Sequence, residues 1–233
     1  MIKLYVFNIQ PYLENDRWKQ WLPLLPAKRR SRALSASPQA GARTAAAGWL
    51  LGYALSLEDI PREQQIFTEN QWGKPMLAHR PSPHFSLSHS GMLVVCALGD
   101  SPLGVDVEEP RCTMKIARRF FSPDEVSFLE SLSETDRREA LNRLWPAKEA
   151  FVKALGTGFH TAPDSFAIRL TPSEAHLSQS ITRQHFRLAE YRAGQYYICL
   201  CTQAQQEEIQ YLVLDPQDAP QPKTAQRKAS ASP

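Results

Sequence analysis

Residues 104–108 read Gly104-Val105-Asp106-Val107-Glu108, and residues 145–153 read Trp145-Pro146-Ala147-Lys148-Glu149-Ala150-Phe151-Val152-Lys153. The first stretch alternates valine with acid, the period of a strand with one apolar face. Asp106 and Glu108 then share the other face, roughly 7 Å apart along the chain. Two acids on one face of an interior strand are costly unless something cationic meets them. A divalent ion such as magnesium answers that, since it takes one or two carboxylates plus phosphates and waters; a solvated polar strand face answers it equally. In the second stretch Glu149 and Lys153 stand at i, i+4 on one helix face, with Phe151, Val152 and Leu155 opposite. That pair reads as a surface ion pair, or as a third carboxylate beside a phosphate-reading lysine. Pro146 predicts a kink or a new helix beginning there, and Gly156-Thr157-Gly158 predicts its end.

Working outward, Met92 to Leu98 reads as a buried strand, and the turn Gly99-Asp100-Ser101-Pro102 predicts a hairpin with Leu103 to Glu108. His84 to Gly91 alternates polar and apolar residues and contains Ser88 and His89. His89 reads as a core histidine or a phosphate donor, and Lys74 in the turn Trp72-Gly73-Lys74-Pro75 has the same two readings. Gln39 to Leu57 is an alanine- and leucine-rich helix whose one charge, Arg43, lies near its start. Ile2 to Ile9 reads as a strand and Asp16 to Leu25 as a short helix. Lys28-Arg29-Arg30-Ser31-Arg32 is either a solvated helix face or a phosphate-binding rim. Beyond Pro110, Lys115, Arg118 and Arg119 precede Phe120-Phe121, and Ser122-Pro123-Asp124-Glu125 has the form of a capped helix start. Strands are expected at 166–170, 186–191, 196–202 and 209–214, arranged as an antiparallel sheet. The segment 215–233 is too polar to fold and is expected to be disordered.

The 233 residues, 42% hydrophobic and 22% charged, suffice for one large domain or two small joined ones. A formal charge of +3 gives no ground for a duplex nucleic-acid binder. Cys96, Cys112, Cys199 and Cys201 form no C-x-x-C pair and read as free thiols in a reducing compartment. No stretch approaches the roughly 20 apolar residues of a membrane span, and the N-terminus has no cleavage pattern. A cytoplasmic protein is expected, without nucleic-acid or membrane partners and monomeric.

Taken in order, Gly73-Lys74-Pro75, Phe85-Ser86-Leu87-Ser88-His89-Ser90-Gly91, Gly104 to Glu108, Phe120-Phe121-Ser122 with Glu125, and Trp145 with Lys148-Glu149-Ala150 and Lys153 resemble the 4′-phosphopantetheinyl transferase superfamily, in its single-chain, two-half type acting on carrier proteins of peptide and polyketide synthases. The resemblance spans roughly residues 28 to 160. It implies an α+β fold of two pseudo-symmetric α/β halves, each a small mainly antiparallel sheet packed with helices, with the ligand at the seam. The segments are then 1–103, 104–214 carrying the metal and pyrophosphate site, and the tail 215–233. It implies coenzyme A as co-substrate, bound by Lys28, Arg43, Lys74, Ser88, His89, Asp106 and Lys153, and magnesium, replaceable by manganese, on Asp106, Glu108 and Glu149. Arg43 and one or more of Lys28, Arg29, Arg30 and Arg32 would hold the 3′-phosphate together with His89, and Glu149 and Lys153 would serve catalysis. The implied reaction moves phosphopantetheine onto a serine of an apo carrier protein, an acidic helical domain met by Lys115, Arg118, Arg119, Phe120 and Phe121. Pro146 departs from the family pattern, which has a small polar residue or cysteine there; it removes a hydroxyl contact and touches no proposed ligand. Two alternatives stand beside this reading: another magnesium-dependent nucleotide-using transferase, and an inactive carrier-binding homologue.

Overall fold

The protein is described by a computed structural model covering residues 1–78, 83–203 and 207–214; the expectation for 215–233 lies outside the described residues. In chain order the strands are β1 (Ile2–Asn8), β2 (Phe67–Glu69), β3 (Pro75–Leu77), β4 (His84–Ser90), β5 (Leu93–Gly99), β6 (Leu103–Glu108), β7 (Ala167–Leu170), β8 (Ala175–Ser178), β9 (Phe186–Ala193), β10 (Tyr196–Gln203) and β11 (Ile209–Leu214). The α-helices are α1 (Ala27–Ser35), α2 (Pro38–Ser56), α3 (Met114–Phe120), α4 (Pro123–Ser131) and α5 (Glu134–Leu155). No helix among the described residues is long and apolar enough to cross a membrane.

Two sheets lie face to face. The first has the order β11-β1-β5-β4, the second β6-β10-β9. Leu4, Val6, Val95 and Ala97 of the first and Val105, Val107, Ile198 and Leu200 of the second share a central core. On its outer face the first sheet packs Tyr5, Phe7, Val94 and Cys96 against Trp49, Leu50 and Ala54 of α2. The second packs Cys199 and Cys201 against Leu144, Ala147 and Phe151 of α5. Each sheet therefore has helices outside and the other sheet inside, an α+β arrangement of two halves. A strand buried on both faces must be apolar throughout, and β5, Leu-Val-Val-Cys-Ala-Leu-Gly, is buried at every position.

The structure differs from the sequence reading at five places. The turn after β5 does not make a hairpin ladder: β6 pairs with β10, Asp106 opposite Cys199. The inward valines of β6 are covered by the opposing sheet, so the turn carries the chain between layers. β11 does not join the C-terminal antiparallel strands; it runs parallel to β1, with Ile2 opposite Ile209 and Phe7 opposite Leu214. A long connection permits such a parallel pair, and the last strand of the 104–214 segment thus completes the sheet of the 1–103 segment. Pro146 starts no new helix, because α5 runs through it from Glu134 to Leu155. The expected helix at Asp16–Leu25 is a 3₁₀ stretch interrupted by positive φ at Asn15 and Asp16, conformations that Asn and Asp tolerate best. The β7–β8 hairpin adds a strand, Ala175–Ser178, that the sequence reading leaves out.

Gly104 decides how closely α5 approaches β6. A Cβ there would stand 2.0 Å from the Ala150 carbonyl oxygen and 2.4 Å from the Ala154 nitrogen, both backbone atoms. Gly104→Ala must push the helix off the strand, since neither atom can swing aside. The expected cost is about 3 kcal/mol, a fall of roughly 6–12 °C in Tm. A melt within about 2 °C of the parent would mean that the two elements are not locked at this distance.

Candidate functional site

The first sheet ends at β4 and the second at β6, and these two edges meet. Ser86, Ser88 and Ser90 recur with the strand period of two, so their hydroxyls share one face. That face is turned to β6. Ser86 Oγ accepts from the Val105 N–H (3.0 Å), Ser88 Oγ donates to Asp106 Oδ1 (2.6 Å), and Ser90 Oγ donates to Glu108 Oε2 (3.0 Å). Two of these serines thus hold the two acids of β6 across the seam, and the third holds its backbone.

From the other side α5 brings Glu149 and Lys153. Lys153 Nζ donates to Asp106 Oδ1 (2.6 Å) and to the Val105 carbonyl (3.2 Å). Asp106 is 3% exposed, and its Oδ2 is buried without a hydrogen-bond partner. Burial, then Asp106, pushes Glu108 up to about 7, against bonds from Ser90 and Trp145 and the charge of Lys153. Burial and Asp106 likewise raise Glu149, against Lys153. One lysine does not balance these acids, and a divalent cation at the orphaned Oδ2 would. Asp106 lies within electrostatic reach of each glutamate, yet no three His, Cys, Asp or Glu side chains among the described residues close into a metal cage. Magnesium needs no such cage, because waters and phosphates complete its shell. The donor chemistry therefore fits a hard divalent ion.

The cationic residues divide into groups. His89, exposed on β4, alternates away from the serines; loss of hydration beside the protein, then Arg43, Lys153 and Arg32, lower its pKa. Arg43 Nη1 donates to the Gly91 carbonyl (3.2 Å), while its Nε is buried and unpartnered. Two cation-forming side chains with a spare donor are chemistry that would suit an anion. Lys28 stands apart, exposed and 3.5 Å from Glu69. A cleft of about 330 Å³ is lined by Arg29, Lys74, Phe85, Glu149 and Lys153. Within it Lys74 turns its ammonium onto backbone, donating to the carbonyls of Lys153 (2.6 Å) and Leu103 (3.0 Å). A larger concavity of about 870 Å³ borders the first half of α5. Its charges serve each other: Arg143 bonds Glu190, and Tyr197 and Arg192 bond Glu139.

Lys115, Arg118 and Arg119 are exposed on α3, with Arg118 on Glu130 and Arg119 over the ring of Phe120. Phe121, expected on a docking patch, is instead 4% exposed and packs with Trp145 and Lys148. Phe121 leaves α3 in extended backbone, and that departure from the helix turns its ring into the core.

Lys148 and Glu125 form a network that the sequence reading placed in the motif without a role. Lys148, 1% exposed, lies 2.8 Å from Glu125 Oε2 and donates to the carbonyls of Pro163 and Phe166. Glu125 also accepts from the N–H groups of Ser122 (2.7 Å) and Ile168 (2.8 Å). The capping box at Ser122–Glu125 was legible; that its glutamate faces the lysine beside Glu149 was not.

A sequence profile described as the 4′-phosphopantetheinyl transferase superfamily matches residues 102–201. The 4′-phosphopantetheinyl transferase Sfp of Bacillus subtilis is 37% identical over 128 residues, 52% of this chain and 57% of that protein; a second Bacillus subtilis enzyme of the same name is matched over 53% of its length. The chain thus spans little more than half the length of these two relatives. The 4′-phosphopantetheinyl transferase psf-1 of Bacillus pumilus is 37% identical over 177 residues, 73% of this chain and 76% of that protein. A holo-(acyl-carrier-protein) synthase from Bacillus anthracis, solved in complex with CoA, superposes with a TM-score of 0.39 at 21% identity, over 44% of this chain and 94% of that one. The profile covers β6, α5 and most of β10, the elements that hold the acids and Lys153, and the Bacillus pumilus relative is matched well beyond them; the chain belongs to the 4′-phosphopantetheinyl transferase superfamily.

Proposed function

We propose that this protein transfers the 4′-phosphopantetheine group of coenzyme A to a serine hydroxyl of an apo carrier protein and releases 3′,5′-ADP. The observation that supports the reading is the seam itself: Lys153 bonded to Asp106, with Glu108 and Glu149 close enough for Asp106 to raise both, beside a cleft lined by Arg29 and Lys153. His89 and Arg43 hold the phosphate of the nucleotide end, and Lys153 holds the pyrophosphate oxygens. A magnesium ion on Asp106, with Glu108 and Glu149, supplies charge neutralisation at those oxygens when bound. The carrier serine Oγ bonds to the β-phosphorus while the bond from that phosphorus to the bridging oxygen breaks, so the electron pair leaves on 3′,5′-ADP. Glu149, whose carboxyl is raised by burial and by Asp106, takes the serine proton.

Lys115, Arg118 and Arg119, with half-buried Phe120, are the surface proposed to meet an acidic carrier. Four free cysteines accord with action in the reducing cytoplasm. The test is the intact mass of apo carrier proteins incubated with the protein, coenzyme A and magnesium. Gain of one phosphopantetheine is expected, and an unchanged mass across fatty-acid, polyketide and peptide-synthase carriers would overturn the reading.

A further inference from the structure

Lys74 and Asn70 sit at the tip of the β2–β3 hairpin, where Glu69 pairs with Pro75. The tip is built firmly. Asn70 Oδ1 accepts from the N–H groups of Trp72 and Lys74, both at 2.9 Å, the Asn70 N–H donates to the Lys74 carbonyl, and Gly73 takes a φ of 84°. Gln71, Trp72 and Gly73 are exposed, while Asn70 and Lys74 are half-buried and dock on the end of α5. The last carbonyls of a helix have no partners within it. Here Asn70 Nδ2 donates to the Gly156 carbonyl (2.8 Å) and Lys74 Nζ to the Lys153 carbonyl (2.6 Å). The same Nζ donates to the Leu103 carbonyl (3.0 Å), at the first residue of β6. One ammonium thus ties the end of the helix bearing Glu149 and Lys153 to the start of the strand bearing Asp106 and Glu108. A cation at a helix C-terminus also meets the favourable end of its dipole. Gly156 leaves room for the contact: a Cβ there would lie 2.8 Å from Lys74 Cδ. Trp72 adds a ring contact to His160 at 4.2 Å.

We propose that the Asn70–Lys74 tip is a cap on α5 supplied from outside the helix, and that Lys74 acts as a positioning residue for Glu149 and Lys153. Two of the three ammonium donors of Lys74 are already spent on protein carbonyls. The inference rests on the proposed transfer reaction for its kinetic consequence, and on geometry alone for its structural one.

The experiment compares Lys74→Met and Asn70→Ala with the parent by steady-state transfer kinetics, coenzyme A calorimetry and amide hydrogen exchange. Both variants are expected to lose about tenfold or more in kcat, since small misplacement of catalytic groups is costly. KM and calorimetric affinity for coenzyme A should stay within about twofold. Amides at 153–158 should exchange faster in both, and more so than elsewhere in the chain. A Lys74→Met variant that loses coenzyme A affinity with kcat intact would make Lys74 a ligand contact and overturn the proposal. So would an Asn70→Ala variant with parental kcat and parental exchange, since that side chain reaches only the helix end and its own turn. If the parent transfers nothing to any carrier, the proposed reaction fails, and the exchange data alone still decide whether the cap exists.

Discussion

Glu149→Gln is expected to lower transfer by a factor of about 10²–10⁴ while calorimetric affinity for coenzyme A changes by no more than about threefold. The amide has the shape of the acid and cannot accept a proton. Glu149 is half-buried on the face of α5 turned to Asp106, and burial and that neighbouring charge hold its carboxyl above the ordinary glutamate value. A base is most useful when its pKa approaches the working pH. The same shift fixes the direction of the pH profile. The rate should fall as pH drops and Glu149 becomes protonated, because the neutral acid cannot take the serine proton. If Glu149→Gln retains parental transfer, the base is another group or a water beside Asp106.

The second large effect is on stability. Glu125→Gln is expected to cost about 3–5 kcal/mol, read by denaturant unfolding. Glutamine can still complete a capping box, but it offers one acceptor where Glu125 uses two oxygens, so the loss combines the missing charge with an amide donor set against Ser122, Lys148 or Ile168. What remains is Lys148, 1% exposed, with carbonyls and ring faces around it and only the weaker pull of Asp164 in place of the direct ion pair. Burial already lowers the pKa of this lysine, and Glu125 is the chief influence that opposes it. Removing both charges, as in Glu125→Gln with Lys148→Met, should recover part of the loss, since an ion pair replaced as a unit leaves no orphan. A single variant within about 1 kcal/mol of the parent would show that the pair contributes little to the fold. Lys148 adjoins Glu149 in the chain and Glu125 contacts Lys148, so transfer should fall with stability in both variants.

The chemistry of the seam was legible because its periodicities are local. Alternation put Asp106 and Glu108 on one strand face, the i, i+4 step put Glu149 and Lys153 on one helix face, and the Ser-Pro-x-Glu pattern marked the start of α4. What stayed hidden was which partner each local pattern would meet. The turn after β5 has hairpin chemistry, and nothing within it reveals that β6 belongs to another sheet. Ser88 looks equally apt for a phosphate and for a carboxylate, and the structure gives its hydroxyl to Asp106. Lys74 reads as satisfied within the protein or as a phosphate donor, and its ammonium lies on two carbonyls. Phe121 looks exposed by its basic neighbours and is core. In each case the missing knowledge concerns a residue far along the chain.

The parallel pairing of β1 with β11 also sets a timetable. Ile2 waits for Ile209, so one flank of the first sheet cannot close until nearly all of the described chain exists. At about 5–20 residues per second of synthesis, the first strand leaves the ribosome roughly 10–40 s before its neighbour is made. During that interval its open hydrogen-bonding edge is a template for the wrong strand. Nascent chains halted before residue 209 should therefore be the aggregation-prone species, and a chaperone that shields Ile2–Asn8 would act on them rather than on the finished protein.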